Sequence, residues 1–383
     1  MESFAIMPTL EDRYSRHRLI DWWDQTKLKN ARVLVAGAGA LGNEVLKNLA
    51  LLGIGHITII DFDTVSITNL TRSILFRDTD VGLTKVEVAR RRLLEINPEL
   101  SILAIHGDLQ FDLGVGDVRS CNLMIGCVDS INARWAINQL AYRAGIPWIN
   151  GGIGVTDGEI SFFDPKVESA CFECGISDQM WERRNQNYSC HGMKRDFPEK
   201  VIPTTATLTS TVGGMQVQQA LMYLHGRTGF LNSGEKVFLS FNPWTSFKVK
   251  IQNQANCTAH DFSINQVIHY SSNQLTTQDI CQHLQEKGFG SPVVWLRNEV
   301  LTKMQCLNSG CRYVEDIYRP ARQVPEETLI CPKCGKKRSA EIISNFSLKH
   351  SSNVLLTQLC LPKNEILFCE LDSGNIAIQF SKP

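Results

Sequence analysis

The sequence predicts an α/β protein: a Rossmann-like doubly wound sheet with an antiparallel extension, plus a small C-terminal α+β domain containing a zinc ribbon. Three observations lead to it. Short apolar runs alternate with longer helical patterns from residue 32 to about 150, the rhythm of parallel strands joined by crossover helices. A glycine-rich turn, Gly37-Ala-Gly39-Ala-Leu-Gly42, separates the first strand from the first long helix. Further on, Cys306, Cys311, Cys331 and Cys334 stand at metal-binding spacing in a region of different composition.

Strands are expected at 32–36, 56–60, 101–106, 123–127 and 147–149. Between them, 43–52 places Leu46, Leu49 and Ala50 on one helical face and stops at Gly53, while 85–95 carries Val86, Ala89, Leu93 and Leu94 and ends before Pro98. Past Gly151 the pattern changes. Residues 159–163 and 246–251 alternate like antiparallel strands, and 207–224 reads as a long helix interrupted at Gly213-Gly214. Two domains are expected, 1–257 and 258–383. In the second, a helix at 277–287 is capped by Thr276 and Asp279, and β-like runs stand at 366–371 and 375–380.

Lysine plus arginine equals aspartate plus glutamate at 39 each, so no global field gathers nucleic acid or an anionic membrane, and phosphate recognition has to be local. No run approaches the roughly 18 apolar residues of a membrane span. Residues 1–14 include Glu2, Glu11, Asp12 and Arg13 and lack the apolar core of a secretion signal, so a reducing, cytoplasmic setting is expected. There, close pairs among the 13 cysteines serve metal binding or chemistry rather than bridges.

The turn at 37–42 presents backbone N–H groups and a helix N-terminus to phosphate. Asp61 ends the next strand, where a carboxylate can accept hydrogen bonds from both hydroxyls of a ribose. NAD and ATP are served equally by these features. A triphosphate attacked at its α-phosphorus also needs cations on the departing pyrophosphate, and Asn69, Arg72 and Lys85 follow downstream.

Arg13-Tyr-Ser-Arg16, Gly37-Ala-Gly39-Ala-Leu-Gly42, Asp61-Phe-Asp63, Asn69-Leu-Thr-Arg72, Gly82-Leu-Thr-Lys85, Asn97-Pro98 and Cys127-Val-Asp129 stand in a recognisable order and spacing. Together they resemble the adenylation domain of the ThiF/MoeB/HesA family of ubiquitin-activating-type enzymes, over about residues 13–257. The resemblance implies a nucleotide site of Gly37, Gly39, Gly42, Asp61 and Asp63, with Asp61 on the ribose, Asn69, Arg72 and Lys85 on the phosphates, and Asp129 on Mg²⁺. It implies a homodimer in which Arg16 reaches over the neighbour's ATP. Ser73 departs from the glutamine usual after the phosphate arginine in that family, which loosens the arginine's support without removing its charge.

The activity implied is attack on the α-phosphate of ATP by the C-terminal glycine carboxylate of a ubiquitin-like or sulfur-carrier protein. Acyl-adenylate and pyrophosphate are the products. A carboxylate is already ionised at neutral pH, so no general base is required and charge stabilisation by Arg72 and Arg16 carries the step.

Cys171-Phe-Glu-Cys174 and Cys257-Thr-Ala-His260 each follow a predicted antiparallel strand, and two pairs with two-residue spacers suit tetrahedral zinc. The resembled family holds structural zinc with two Cys-x-x-Cys pairs at these places; His260 stands where the fourth cysteine is expected. The second quartet, Cys306, Cys311, Cys331 and Cys334, has zinc-ribbon spacing and reads as a staple for a small domain. Cys190 lies where the family carries its variable catalytic cysteine. His191, Lys194 and Arg195 favour a thiolate there, which would take the acyl group as a thioester or enter sulfur transfer, although some members of that family stop at the adenylate.

The bare backbone of Gly151-Gly-Ile-Gly154 is the expected track for the carrier's tail. Rival readings stay open. An NAD-dependent oxidoreductase leaves Arg16, Arg72 and Lys85 without a task, and a non-catalytic scaffold subunit would have lost these nucleotide-site residues. Adenylation of a small peptide or a tRNA base is a third, with Arg90-Arg91-Arg92 as a local basic cluster.

Overall fold

Strands buried on both faces have to be covered by helices on both sides, and the burial of Arg32–Ala36, four of its five residues, sets that plan from the start. The computed structural model describes residues 11–186, 193–194, 203–260, 267–270, 275–348, 353–371 and 376–380. These residues form two compact units. The first takes in residues up to 109, then 118–175 and the described part of 202–260; the second takes in 110–117, the described part of 176–201, and the described residues beyond 260.

The first unit opens with α1 (Gln25–Asn30), whose N-cap Asp24 accepts from Thr26 N and Lys27 N. β1 (Arg32–Ala36), α2 (Ala40–Leu52), β2 (His56–Asp61), α3 (Lys85–Ile96), β3 (Ser101–His106), α4 (Val115–Arg119), β4 (Leu123–Gly126), α5 (Ile131–Ala144), β5 (Trp148–Ile153) and β6 (Asp157–Phe163) follow. After α6 (Asp178–Gln186), which belongs to the second unit as the start of α4 does, and α7 (Ala206–Leu224) come β7 (Glu235–Phe241) and β8 (Trp244–Lys250). Eight strands make one sheet in the order β3-β2-β1-β4-β5-β6-β7-β8. β3 to β5 are mutually parallel, and from β5 to β8 each pair is antiparallel. Strand order reverses direction beside β1, and in open sheets of this kind ligands sit outside the carboxyl ends of the strands at that switch point.

α7 corrects one expectation. It runs unbroken for 19 residues through Gly213 and Gly214. A Cβ on Gly213 would lie 2.9 Å from Glu44 Cβ and 3.5 Å from Val45 N, so this glycine lets α7 lie close against α2 instead of breaking the helix.

The second unit contains β9 (Val267–Tyr270), α8 (Thr277–Glu286), β10 (Val293–Cys306), β11 (Val314–Pro320), β12 (Arg338–Ser347), β13 (Ile366–Glu370) and β14 (Ile376–Phe380). Its sheet has the order β11-β10-β13-β14-β9, with β12 also paired to β10. The predicted cap of α8 is present as a reciprocal box: Asp279 N donates to Thr276 Oγ1 at 3.2 Å, and Thr276 N to Asp279 Oδ2 at 2.8 Å.

Two outlying segments join this unit through specific contacts. Arg297 donates to Glu365 Oε2 and to the Leu113 carbonyl, both at 2.8 Å, with only 9% and 1% of the two charged side chains exposed. Met193 is fully buried among Leu301, Met304, Ala321 and Val324, a burial worth about 1.5–3 kcal/mol.

Candidate active site

Where β1 ends the chain turns at once into α2, and the glycines of that turn answer different demands. Gly37 has φ +96°, and a Cβ there would lie 2.5 Å from the Cys127 carbonyl oxygen; a Cβ on Gly42 would lie 2.0 Å from the Gly37 carbonyl oxygen. The protein's own backbone requires those two. Gly39, the N-cap of α2, is extended at φ −72° and ψ −158°, and a Cβ on it meets nothing within 4 Å. The fold leaves open space at this helix N-terminus, the kind of place where backbone N–H groups and the helix dipole favour an anion.

The carboxylate of Asp61 is fixed beside that space. Its Oδ2 accepts from Ala38 N at 2.7 Å and its Oδ1 from Asp63 N at 2.8 Å. Each oxygen keeps a lone pair for a ribose hydroxyl. Burial pushes the Asp61 carboxyl up, against the charge of Lys85 and the two amide hydrogen bonds. Lys85, at the first position of α3 and almost wholly buried, sends Nζ to Asp63 Oδ2 at 2.6 Å. Asp63 is thus the lysine's partner and holds its ammonium in place.

Asn69 and Arg72 lie on a short 3-10 turn and the bend after it. Asn69 Oδ1 accepts from Ser66 N at 3.0 Å, capping its own turn, and Arg72 Nη1 donates to the Thr68 carbonyl at 2.7 Å. That carbonyl supplies local support to the arginine, while Ser73 is buried. Asp129 stands exposed in the loop after β4, next to Ser130, which caps α5 by accepting from Ala133 N at 3.1 Å. An exposed carboxylate at a strand's carboxyl end suits Mg²⁺, which keeps most of its waters and takes one or two carboxylates beside substrate phosphates. Arg16 is exposed and its side chain makes no hydrogen bond or ion pair among the described residues, whereas nearby Arg13 donates to the Ile96 carbonyl and Arg18 to Asp12. Cys190 lies outside the described residues.

Both cysteine sets converge. In the first unit the ligand atoms of Cys171, Cys174, Cys257 and His260 all lie within 4.8 Å of one another, with sulfurs 3.8 Å (171–174) and 3.5 Å (171–257) apart. Tetrahedral zinc with Zn–S bonds of about 2.3 Å sets sulfurs roughly 3.8 Å apart. Hydrogen bonds from the thiols of Cys171 and Cys257 hold Cys174 far below the ordinary thiol range, and the same contacts push Cys171 up. In the second unit Cys306, Cys311, Cys331 and Cys334 also fall within 4.8 Å, with sulfurs 3.4 Å (306–334) and 3.9 Å (311–331) apart, and Gly335 at φ +68° completes the second knuckle. Both sets fit zinc.

Compared with known proteins, residues 13–259 match the model of the ThiF family. The chain belongs to the ThiF family. Among curated ThiF-like relatives it is 36% identical over 165 residues to the molybdopterin-synthase adenylyltransferase of Salmonella typhimurium, covering 42% of this chain and 66% of that protein. It is 36% identical over 149 residues to SUMO-activating enzyme subunit 2 of Dictyostelium discoideum, covering 39% and 22%, and 30% identical over 222 residues to the Escherichia coli molybdopterin-synthase adenylyltransferase, covering 56% and 82%. Of the first two of these relatives, then, the chain spans less than two thirds. A solved structure of E. coli MccB with MccA-N7isoASN superposes with a TM-score of 0.53 at 25% identity, covering 66% of this chain and 75% of that one.

The ThiF-family unit also contains working residues that sequence reading missed. Buried Asn43 donates from Nδ2 to the Ala38 and Gly39 carbonyls at 2.8 and 2.9 Å and accepts from Leu75 N at 2.9 Å, tying the glycine turn to the segment that follows Arg72. Arg134, in α5, donates to the Val128 carbonyl at 3.4 Å, steadying the loop that carries Asp129, and to Glu159 at 3.4 Å; Lys236 joins the same carboxylate at 3.1 Å. Spacing gave one usable signal: a polar residue directly after Gly42, on a helix face otherwise committed to the core.

The glycines at 151 and 152 call for a correction. Both lie inside β5, where a Cβ on Gly151 would lie 2.5 Å from the Gln216 carboxamide and one on Gly152 2.7 Å from Glu159 Cγ. Side chains of the protein itself already occupy the space expected for a carrier tail.

Proposed function

We propose that this chain uses Mg²⁺ and ATP to adenylate the C-terminal glycine carboxylate of a ubiquitin-like or sulfur-carrier protein, as a homodimer in a reducing, cytoplasmic compartment. What carries the reading is the open space over Gly39 beside the fixed carboxylate of Asp61, with the Lys85 ammonium paired to neighbouring Asp63, at the switch point of a ThiF-family sheet. One carboxylate oxygen of the carrier attacks the α-phosphorus; the bond to the bridging oxygen breaks, and pyrophosphate leaves with the electron pair. Lys85, Arg72 and Arg16 of a second copy neutralise the departing charge. Bound at Asp129, Mg²⁺ would draw charge from the phosphate oxygens. Cys190 would then receive the acyl group.

A protein carrier is favoured over tRNA because the basic run Arg90-Arg91-Arg92 is neutralised. Arg90 pairs with Glu87, Arg91 with Asp80, and Arg92 with Glu95 and Asp80, which leaves little free charge for a phosphate backbone.

The test is pyrophosphate exchange into ATP, with carriers ending in Gly-Gly. Arg72→Ala and Lys85→Ala should each lower exchange at least 100-fold, a loss in line with removal of a preorganised charge-stabilising group; parental rates would sink the assignment. The dimer has its own test. Arg16→Ala and Asp129→Ala are each inactive alone, but mixed one to one half the dimers are mixed, and each holds one intact site. Recovery of about one quarter of parental activity is expected. No recovery after demonstrated subunit exchange would mean that Arg16 acts within its own chain, and an active Arg16→Ala that it does not act at all.

A further inference from the structure

We infer that helix α5 ties the first cysteine set to the Asp129 loop, with Arg134, Asn138 and Glu173 as positioning residues, so that Mg²⁺ affinity depends on how the cysteine end is held; this rests on the Mg²⁺ role proposed for Asp129. Arg134, Asn138 and Tyr142 recur every four residues along α5, which puts them on one face of the helix. Each grips a different part of the first unit. Arg134, in the first turn, donates from Nε and Nη2 to the Val128 carbonyl, both at 3.4 Å, one residue before Asp129. Its Nη1 reaches Glu159 Oε1 on β6, an oxygen that also accepts from Asn150 Nδ2 on β5 at 3.3 Å. Burial lowers the Arg134 guanidinium, and the charges of Glu159 and Asp129 oppose that pull.

One turn on, Asn138 is fully buried. Its Oδ1 accepts from Phe172 N at 3.3 Å and from Trp148 Nε1 at 3.2 Å, and its Nδ2 donates to Glu173 Oε1 at 3.0 Å. Gln139 donates to the same carboxylate oxygen. Phe172 and Glu173 are the two residues between Cys171 and Cys174, so this knuckle is mounted on the helix by both a backbone and a side-chain bond. A further turn along, the Tyr142 ring stacks on His260 with 5.5 Å between centroids. Both halves of the metal set, the pair after β6 and the pair after β8, therefore rest on α5. Buried amides and a carboxylate bonded to one another make a rigid joint, and from Asn138 to Arg134 the helix spans only about 6 Å. A shift at the knuckle has no flexible segment to absorb it before it reaches Val128. Zinc held by Cys171, Cys174, Cys257 and His260 would complete the anchorage at the far end.

The full-length chain tests this with Glu173→Ala, the conservative Glu173→Gln, Arg134→Met, and the double variant Arg134→Met/Glu173→Ala. Four readouts are zinc content, ATP affinity in EDTA, the Mg²⁺ half-saturation of pyrophosphate exchange with a Gly-Gly-tailed carrier, and hydrogen exchange at the Ala133 amide, which Ser130 caps. In Glu173→Ala the Mg²⁺ half-saturation should rise at least about fivefold, the low end of coupling between linked sites, while ATP affinity in EDTA stays within about twofold of the parent. Zinc should be retained and protection of Ala133 should drop. Glu173→Gln, which keeps an acceptor for both amides, should restore parental values. Arg134→Met should give a like shift, and the double variant should add little to either single change, because both cut one path. Parental Mg²⁺ dependence in Glu173→Ala, with or without its zinc, overturns the coupling, as does ATP affinity in EDTA falling in parallel. Shifts that add in full in the double variant overturn the single path through α5. If Glu173→Ala does not fold, Gln139→Met, which leaves Asn138 on the carboxylate, takes its place with the same outcomes. Mg²⁺ dependence that is the same in the parent and Asp129→Ala overturns the role of Asp129 and this inference with it, while leaving adenylation standing.

Discussion

Gly39→Val is expected to fold and melt within about 2 °C of the parent and yet to lose at least 100-fold in ATP affinity. The protein puts nothing within 4 Å of the new Cβ, and φ −72° with ψ −158° is extended backbone outside the left-handed region that favours glycine, so neither a Cβ clash nor a positive φ acts on the folded state. The isopropyl group would instead occupy the space over the N-terminus of α2, where backbone N–H groups would otherwise reach phosphate. Gly42→Val is the informative contrast: its Cβ would lie 2.0 Å from the Gly37 carbonyl oxygen, so that variant should fail to fold. Thermal melts and nucleotide titration separate the two. Unchanged ATP affinity in a folded Gly39→Val protein would remove the phosphate from this turn.

The second large effect concerns metal in the ThiF-family unit. Purified protein should carry two zinc ions per chain, and Cys171→Ser and Cys311→Ser should each carry one. Cys171→Ser should cost on the order of 4 kcal/mol, as losses of structural metal do, which for a domain of this size lowers Tm by roughly 10 °C. The reason lies in what the ligands join: Cys171 and Cys174 follow β6, while Cys257 and His260 come after β8. The metal would thus close a long excursion of the chain that includes α7 and the β7–β8 hairpin. Metal analysis and calorimetry check it, and a metal-free parent with the same Tm would refute it.

The parallel half of the fold was readable because its signals are local. Burial on both faces makes β1 and β4 continuous apolar runs, and Gly53 stops α2 in the left-handed conformation a glycine permits. The segments β10 to β12 were not readable. Long β10 bends across partners on both sides and shifts register at Leu301/Lys303, so its apolar positions do not alternate cleanly. Gly213-Gly214 misled for a related reason: propensity counts glycine as a helix breaker, but here the approach of α2 outweighs it. In the site, residues at fixed motif spacing stood out, whereas Asn43 reaches Leu75 and Arg134 reaches Glu159 across long stretches of chain, pairings that no short window of sequence shows.

Asn43 has one more consequence. Because a single carboxamide grips both the glycine turn and the arm leading from Arg72, movement of one is coupled to movement of the other. With nucleotide held there as proposed, sugar and phosphates should leave together, and Asn43→Ala should turn that release into two separable kinetic phases.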